Sequence, residues 1–217
     1  MKKFRLLIIR NVILYWQMIY RRLTLIMIVS IFLLMIRRIQ GISLVTTFMG
    51  VQQQNGTLDI PMIWLFLIMS PTLIIGDSIQ KLVKRDYLLV SFIPLLTYLS
   101  SLIVLILMMV GSIWLSWIIF AGGLPIGFSL VLLITMGILN LAMAVIQIFI
   151  SPVITELLEL FILVLTIAIN HFPLLSQMMF LRYSNQALIV TLIELGIVAG
   201  GIGWLSKQIY RLDFLEI

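Results

Sequence analysis

The sequence predicts an all-α, polytopic membrane bundle of six transmembrane helices, with an amphipathic interfacial helix before the first span. Three observations predict it. Hydrophobic residues make up 63% of the 217 and charged residues only 10%, against about a quarter charged in soluble domains. Apolar runs suited to spans of ~20 residues recur along the chain and leave no room for a sizeable soluble domain, so 1–217 reads as a single transmembrane domain. Lysine and arginine are distributed unevenly about those runs, and basic loops stay on the cytoplasmic side.

The first twenty-two residues mix Lys2, Lys3, Arg5 and Arg10 with leucine, isoleucine, Tyr15, Trp16 and Tyr20. That mixture suits a helix in the head-group plane, because Arg10 and Asn11 would otherwise sit in hydrocarbon. Arg21 and Arg22 then mark the inner boundary of a first span running from about Leu23 to about Thr47. Its outer half holds Arg37 and Arg38, which either anchor at the outer head groups or offer an electropositive exit to an anionic or amphipathic cargo. A polar outside turn follows over 51–59.

The second span, Ile60 to Ile75, contains Pro71, which removes a backbone donor and should kink the helix. After it comes the only internal stretch dense in charge, Gly76 to Tyr87. Within it Ile79, Leu82 and Val83 fall at i, i+3 and i+4, one apolar stripe of a short helix, while Lys81, Lys84 and Arg85 hold it inside. The third span runs from about Leu96 to Ile118 after Pro94, with Trp114 and Trp117 in an outer aromatic belt. Glycine and proline make an outside turn over 121–127. The fourth span, about Phe128 to Ile150, carries Asn140 and Gln147, and Ser151-Pro152 turns the chain inside. The fifth span, Ile154 to Ile169, opens with Glu156 and Glu159. Residues 170–186 are too apolar for a free loop and read as an outside segment half-buried against protein. The sixth span is about Ala187 to Leu205, and the tail is cytoplasmic.

Charge tests this layout. Lys2, Lys3, Arg5, Arg10, Arg21, Arg22, Lys81, Lys84, Arg85, Lys207 and Arg211 lie inside, whereas Arg37, Arg38 and Arg182 lie outside. Six spans in the plasma membrane with both termini cytoplasmic satisfy the positive-inside rule. The net charge of +6 therefore belongs to topology and anionic lipid, not to nucleic acid.

Chemistry is sparse. Without cysteine there are no disulfides, thiolate nucleophiles or cysteine-held zinc. His171 has no sequence neighbours suited to a metal or a proton relay, and no protease, hydrolase or P-loop motif occurs. The chain is thus not expected to be an enzyme, nor to hold a metal or cofactor. Glu156, Glu159 and Glu194 are candidates for a translocation path, because ionisable groups at membrane depth are expensive unless used. Glu156 and Glu159 share a helix face close to the inner boundary, where solvation also accounts for them. Gly196, Ala199, Gly200 and Gly203 make small-residue pairs four apart that let helices pack closely, within the bundle or across a dimer seam.

The order of parts resembles the permease subunits of type-2 ABC exporters, above all the small haem-export-like and peptide-export or immunity kinds. It rests on the basic N-terminal helix, six spans, the polar helix between spans two and three, Pro94 ahead of the third, and the half-buried outside segment before the last. The resemblance implies that residues 77–87 form a cytoplasmic coupling helix docking on a separate ATP-binding subunit, through Asp77, Gln80, Lys81, Lys84, Arg85, Asp86 and Tyr87. Asp86-Tyr87-Leu88-Leu89 stands where family members often have acid-Gly-Thr-Leu, and Phe92-Ile93-Pro94 stands at the Leu-Pro feature. The resemblance further implies a second permease subunit as partner, ATP and magnesium held only by the ATPase, and export of an amphipathic peptide, lipid or cofactor. Two other functions fit the residues: a proton-coupled secondary transporter using Glu194, and a non-transporting immunity or scaffold protein.

Overall fold

The computed structural model describes residues 2–50, 53–54, 57–58, 61–86, 95–121, 124–169, 175–184 and 186–209. Its helices are α1 (Lys2–Ile39), α2 (Leu44–Thr47), α3 (Met62–Ile75), α4 (Ser78–Arg85), α5 (Leu95–Ala121), α6 (Ile126–Phe149), α7 (Pro152–Ala168) and α8 (Ala187–Ile209). The fold is all-helical apart from a two-residue antiparallel ladder in the polar turn, Gln53–Gln54 against Thr57–Leu58. Four stretches, Leu6–Ile39, Met62–Arg85, Tyr98–Phe120 and Ile126–Phe149, are long and apolar enough to cross a membrane. This is a membrane protein by the length and composition of its helices.

The N-terminal third differs from expectation. Residues 1–22 were expected as a separate interfacial helix, yet α1 runs through Arg21 and Arg22 without a break. The reason is a seam: Leu7, Asn11, Tyr15, Ile19, Ile26, Ser30 and Leu34 are all buried, spaced so that they stack on one side of a single helix. That side packs against α5. The helix also ends earlier than the expected span. It stops at Ile39, Gly41 turns the chain at a φ of 75°, and α2 follows as a single turn.

Helix α6 is the axis of the bundle, touching α3, α4, α5, α7 and α8. It can sit there because it carries no charged residue and buries much of its circumference, including Thr135, Asn140 and Gln147. Pro71 lies within α3 as expected. The carbonyl it would have bonded, that of Leu67, accepts the Ser70 hydroxyl at 2.7 Å instead, so the proline leaves no orphaned acceptor. Ser151 caps α7, accepting from the Ile154 amide at 3.4 Å, and Pro152 occupies the first turn, where a missing N–H costs nothing.

One end of the bundle is closed by the loop after α2 and the segment before α8. From residue 175 that segment forms two 3-10 turns, Ser176–Met178 and Phe180–Arg182, and Leu175, Met178 and Met179 are buried as its composition required. The amides of Phe180 and Leu181 donate to the carbonyls of Phe48 and Met49 at 2.8 and 3.2 Å. Beneath them Trp64 donates to the Met178 carbonyl at 3.1 Å, and Phe48, Trp117, Phe128, Phe180 and Tyr183 form a ring cluster. Trp117 is 1% exposed, so it belongs to this protein core and not to a lipid-facing belt. Gly50, at a φ of 86°, lies so close to Met179 that a side chain there would collide with it.

Candidate functional site

The charged stretch between the second and third expected spans is built on a helix break at Gly76. Its φ of 47° is open only to glycine at low cost, and a Cβ there would strike the Arg22 guanidinium. The break ends α3 and lets α4 start at Ser78 behind Asp77. Asp77 is then held twice, by Arg22 at 2.7 Å and by Lys81, one turn along α4, at 2.5 Å. Although partial burial works against its charge, these two cations outweigh that and hold its carboxyl below the usual value.

The other end of α4 is fastened as well. Asp86 is fully buried and accepts both guanidinium nitrogens of Arg10 and the Tyr98 hydroxyl. Beside them Asn11 donates to the Ser101 hydroxyl at 2.9 Å. The two latches lie twelve residues apart on α1 (10 to 22) and nine on α4 (77 to 86), about 18 and 13 Å along the helices. Helix α4 therefore lies side by side with the first half of α1. The sequence alone placed Arg10 and Asn11 at the membrane surface; their partners Asp86, Tyr98 and Ser101 are what allow them inside.

This arrangement sorts the expected docking residues. Ser78, Ile79 and Leu82 are buried against the bundle, Val83 and Gln80 are half-buried, and Lys81, Lys84 and Arg85 are exposed. Asp77 and Asp86 differ from the expectation, since both are turned to α1 and bonded there. Tyr87 and Pro94 lie outside the described residues, as does His171.

A second polar group lies deeper. Thr72 of α3 donates to the Asn140 side chain of α6 at 3.0 Å, and Asn140 donates to the Met136 carbonyl at 2.9 Å. From α7 Glu159 faces the Thr72 hydroxyl. It is fully buried, and neither of its oxygens has a hydrogen-bond partner. Glu156, three residues earlier and half-buried, lies within electrostatic reach of Arg22 and Asp77. The two glutamates thus connect the interior to the root of α4. Gln147 is also buried with both side-chain atoms unpaired.

The remaining candidates are scattered. Glu194 is 3% exposed on the face of α8 that meets α6. Arg38 donates to the Phe120 carbonyl at 3.2 Å, closing the C-terminal end of α5, and Arg37 is half-buried one residue before it. Arg182 spans three carbonyls at the end of α7, those of Thr166, Ile167 and Ile169. The small-residue face of α8 does not pack within the bundle: at Gly196 and Gly200 an added Cβ would meet nothing within 4 Å. Instead Ala199, with Leu195 and Val198, borders an apolar groove of about 540 Å³ against α5 and α6. Among the described residues no cluster of His, Cys, Asp and Glu suited to a metal ion occurs. Compared with protein-family models, with curated proteins and with solved structures, the chain matches none.

Proposed function

We propose that the chain is the permease subunit of an ATP-driven exporter, and that α4 is the coupling helix through which a separate ATPase subunit moves it. In this reading six segments cross the plasma membrane, namely α1, α3, α5, α6, α7 and α8, with α4 and both termini on the cytoplasmic side. A second permease subunit completes the path for an amphipathic peptide, lipid or cofactor. ATP and magnesium are held by the ATPase, and this chain performs no hydrolysis.

The observation that carries the proposal is the two-sidedness of α4. One face is fixed to the bundle by Ile79, Leu82 and the Asp77 and Asp86 latches, and the opposite face presents Lys81, Lys84 and Arg85. A helix fastened at both ends transmits a push applied to its free face, which a flexible loop does not. Because both latches end on α1, the first helix moves with α4.

The test is charge reversal of Lys84 and Arg85 together, K84E/R85E, in the native host, with capture of any P-loop ATPase that co-purifies with the wild-type chain. Loss of co-purification and of stimulated hydrolysis, with membrane insertion intact, is the expected result. A double variant that assembles and stimulates normally removes docking from this helix.

A further inference from the structure

In Glu159 the fold keeps a carboxyl that its own architecture leaves unused. Neither oxygen has surface that a water molecule could touch, and neither has a hydrogen-bond partner. An ionised carboxylate so placed is strongly disfavoured, because nothing replaces its lost hydration. Among the described residues no cation acts on Glu159. Helices α3 and α6, which pack on α7, carry no charged residue. What faces Glu159 is the neutral Thr72 hydroxyl, whose own proton goes to Asn140, and the like-charged carboxyl of Glu156 on its own helix. A hydroxyl that has given its proton away still offers lone pairs, and so is suited to accept one. A ligand that fits against a carboxyl with no adjoining space is a proton.

The route by which it could come and go is also present. Glu156 sits one helical turn from Glu159, on neighbouring parts of the same face, and is half-buried where Glu159 is sealed. The charged groups that reach Glu156 are Arg22 of α1 and Asp77 at the start of α4, and Asp77 is itself held by Lys81. The polarity of the path therefore rises step by step, from the sealed acid through the half-buried one to the wet ion-pair cluster.

We propose that Glu159 is a proton-binding site inside the bundle, and that its proton is exchanged with the charged end through Glu156, beside the Arg22–Asp77 pair. On release the Glu159 O–H bond breaks and its electron pair stays on the carboxylate. The proton forms an O–H bond on the Glu156 carboxylate and passes from there to water, while uptake is the reverse. No electron is transferred and no co-reactant is needed. Since Asp77 begins α4, displacement of α4 alters the charges beside the relay. Docking of a partner there and the occupancy of Glu159 are thereby linked.

The test is infrared difference spectroscopy of the full chain in lipid nanodiscs across a pH titration, with no ATPase present. The wild type should show a carboxylic-acid carbonyl band that fades as pH rises. Glu159→Gln should abolish it, Glu159→Asp should move it, and Glu194→Gln should leave it; helix content by circular dichroism confirms that each variant is folded. In deuterated buffer Glu156→Gln should slow exchange of the band by about tenfold or more. A titrating band that keeps its full intensity in Glu159→Gln/Glu194→Gln, measured against Glu194→Gln alone, overturns the site, and an unchanged exchange rate in Glu156→Gln overturns the relay. A negative result on the isolated chain removes the proton site and leaves the exporter reading to its own test.

Discussion

Arg10 holds Asp86 with two nitrogens across 76 positions of sequence, and the carboxylate it holds is fully buried. The pair is satisfied further by the Tyr98 hydroxyl at 3.3 Å. Such a pair matters less for the energy it adds than for what happens when one partner goes, because the survivor is left charged and dry.

Arg10→Gln should therefore destabilise the protein by about 3 kcal/mol in detergent unfolding, at the low end for a broken buried pair since part of Arg10 stays wet. Asp86→Asn in the same chain should recover a good part of that loss. An Arg10→Gln variant with wild-type stability would show that the latch is idle.

Gly76→Ala carries two separable penalties. The backbone at a φ of 47° costs about 1–3 kcal/mol for a residue with a side chain, and the new methyl also displaces the Arg22 guanidinium from Asp77. In an Arg22→Ala background only the backbone part should remain. A double-mutant cycle with zero coupling would refute the close approach of Gly76 and Arg22.

The α4 root should respond to acid in one direction. The folded carboxyl of Asp77 is held below its unfolded value by Lys81 and Arg22, whose effect exceeds the opposing effect of burial. Its contribution is thus complete above the unfolded value of about 3.9 and lost as pH falls through the lower, folded value. Spin labels on a cysteine pair introduced in α1 and α4 should report one unchanged distance from pH 5 to 8 and a change only in stronger acid. Asp77→Asn should abolish that acid response. The chain has no cysteine of its own, so the pair is unambiguous.

Arg182→Ala should free three carbonyls at the end of α7 and lower stability by about 1–2 kcal/mol. Arg182→Lys should rescue little, because an ammonium lacks the planar fork that spans several acceptors. Full rescue by lysine would reduce the contact to simple charge.

Most helices were legible because membrane helices are written in long apolar runs: α5, α6 and α7 begin and end within about three residues of where hydropathy placed them. The first helix was not, and the reason is pairing. Arg10, Asn11 and Arg22 looked too polar for a bundle when read alone, yet each has a partner distant in sequence. The spacing of Leu7, Asn11, Tyr15 and Ile19, four apart throughout, was the available sign that the seam continues. At the site, the cations of α4 were legible from amphipathic spacing. The inward turn of Asp86 was not, since a carboxylate beside basic residues reads as surface until Arg10 is seen. Thr72 and its bond to Asn140 carry no sequence signal at all, because threonine is common in apolar helices.

The amides of Phe180 and Leu181 reach the carbonyls of Phe48 and Met49, so the cap is stitched through main-chain atoms. Such stitching is indifferent to side-chain chemistry: residues on either strand can drift in identity and the seam stays shut. Proline at position 180 or 181, having no N–H to give, is the exchange that would unpick it, which makes those two positions the natural place to install a hinge in an otherwise sealed lid.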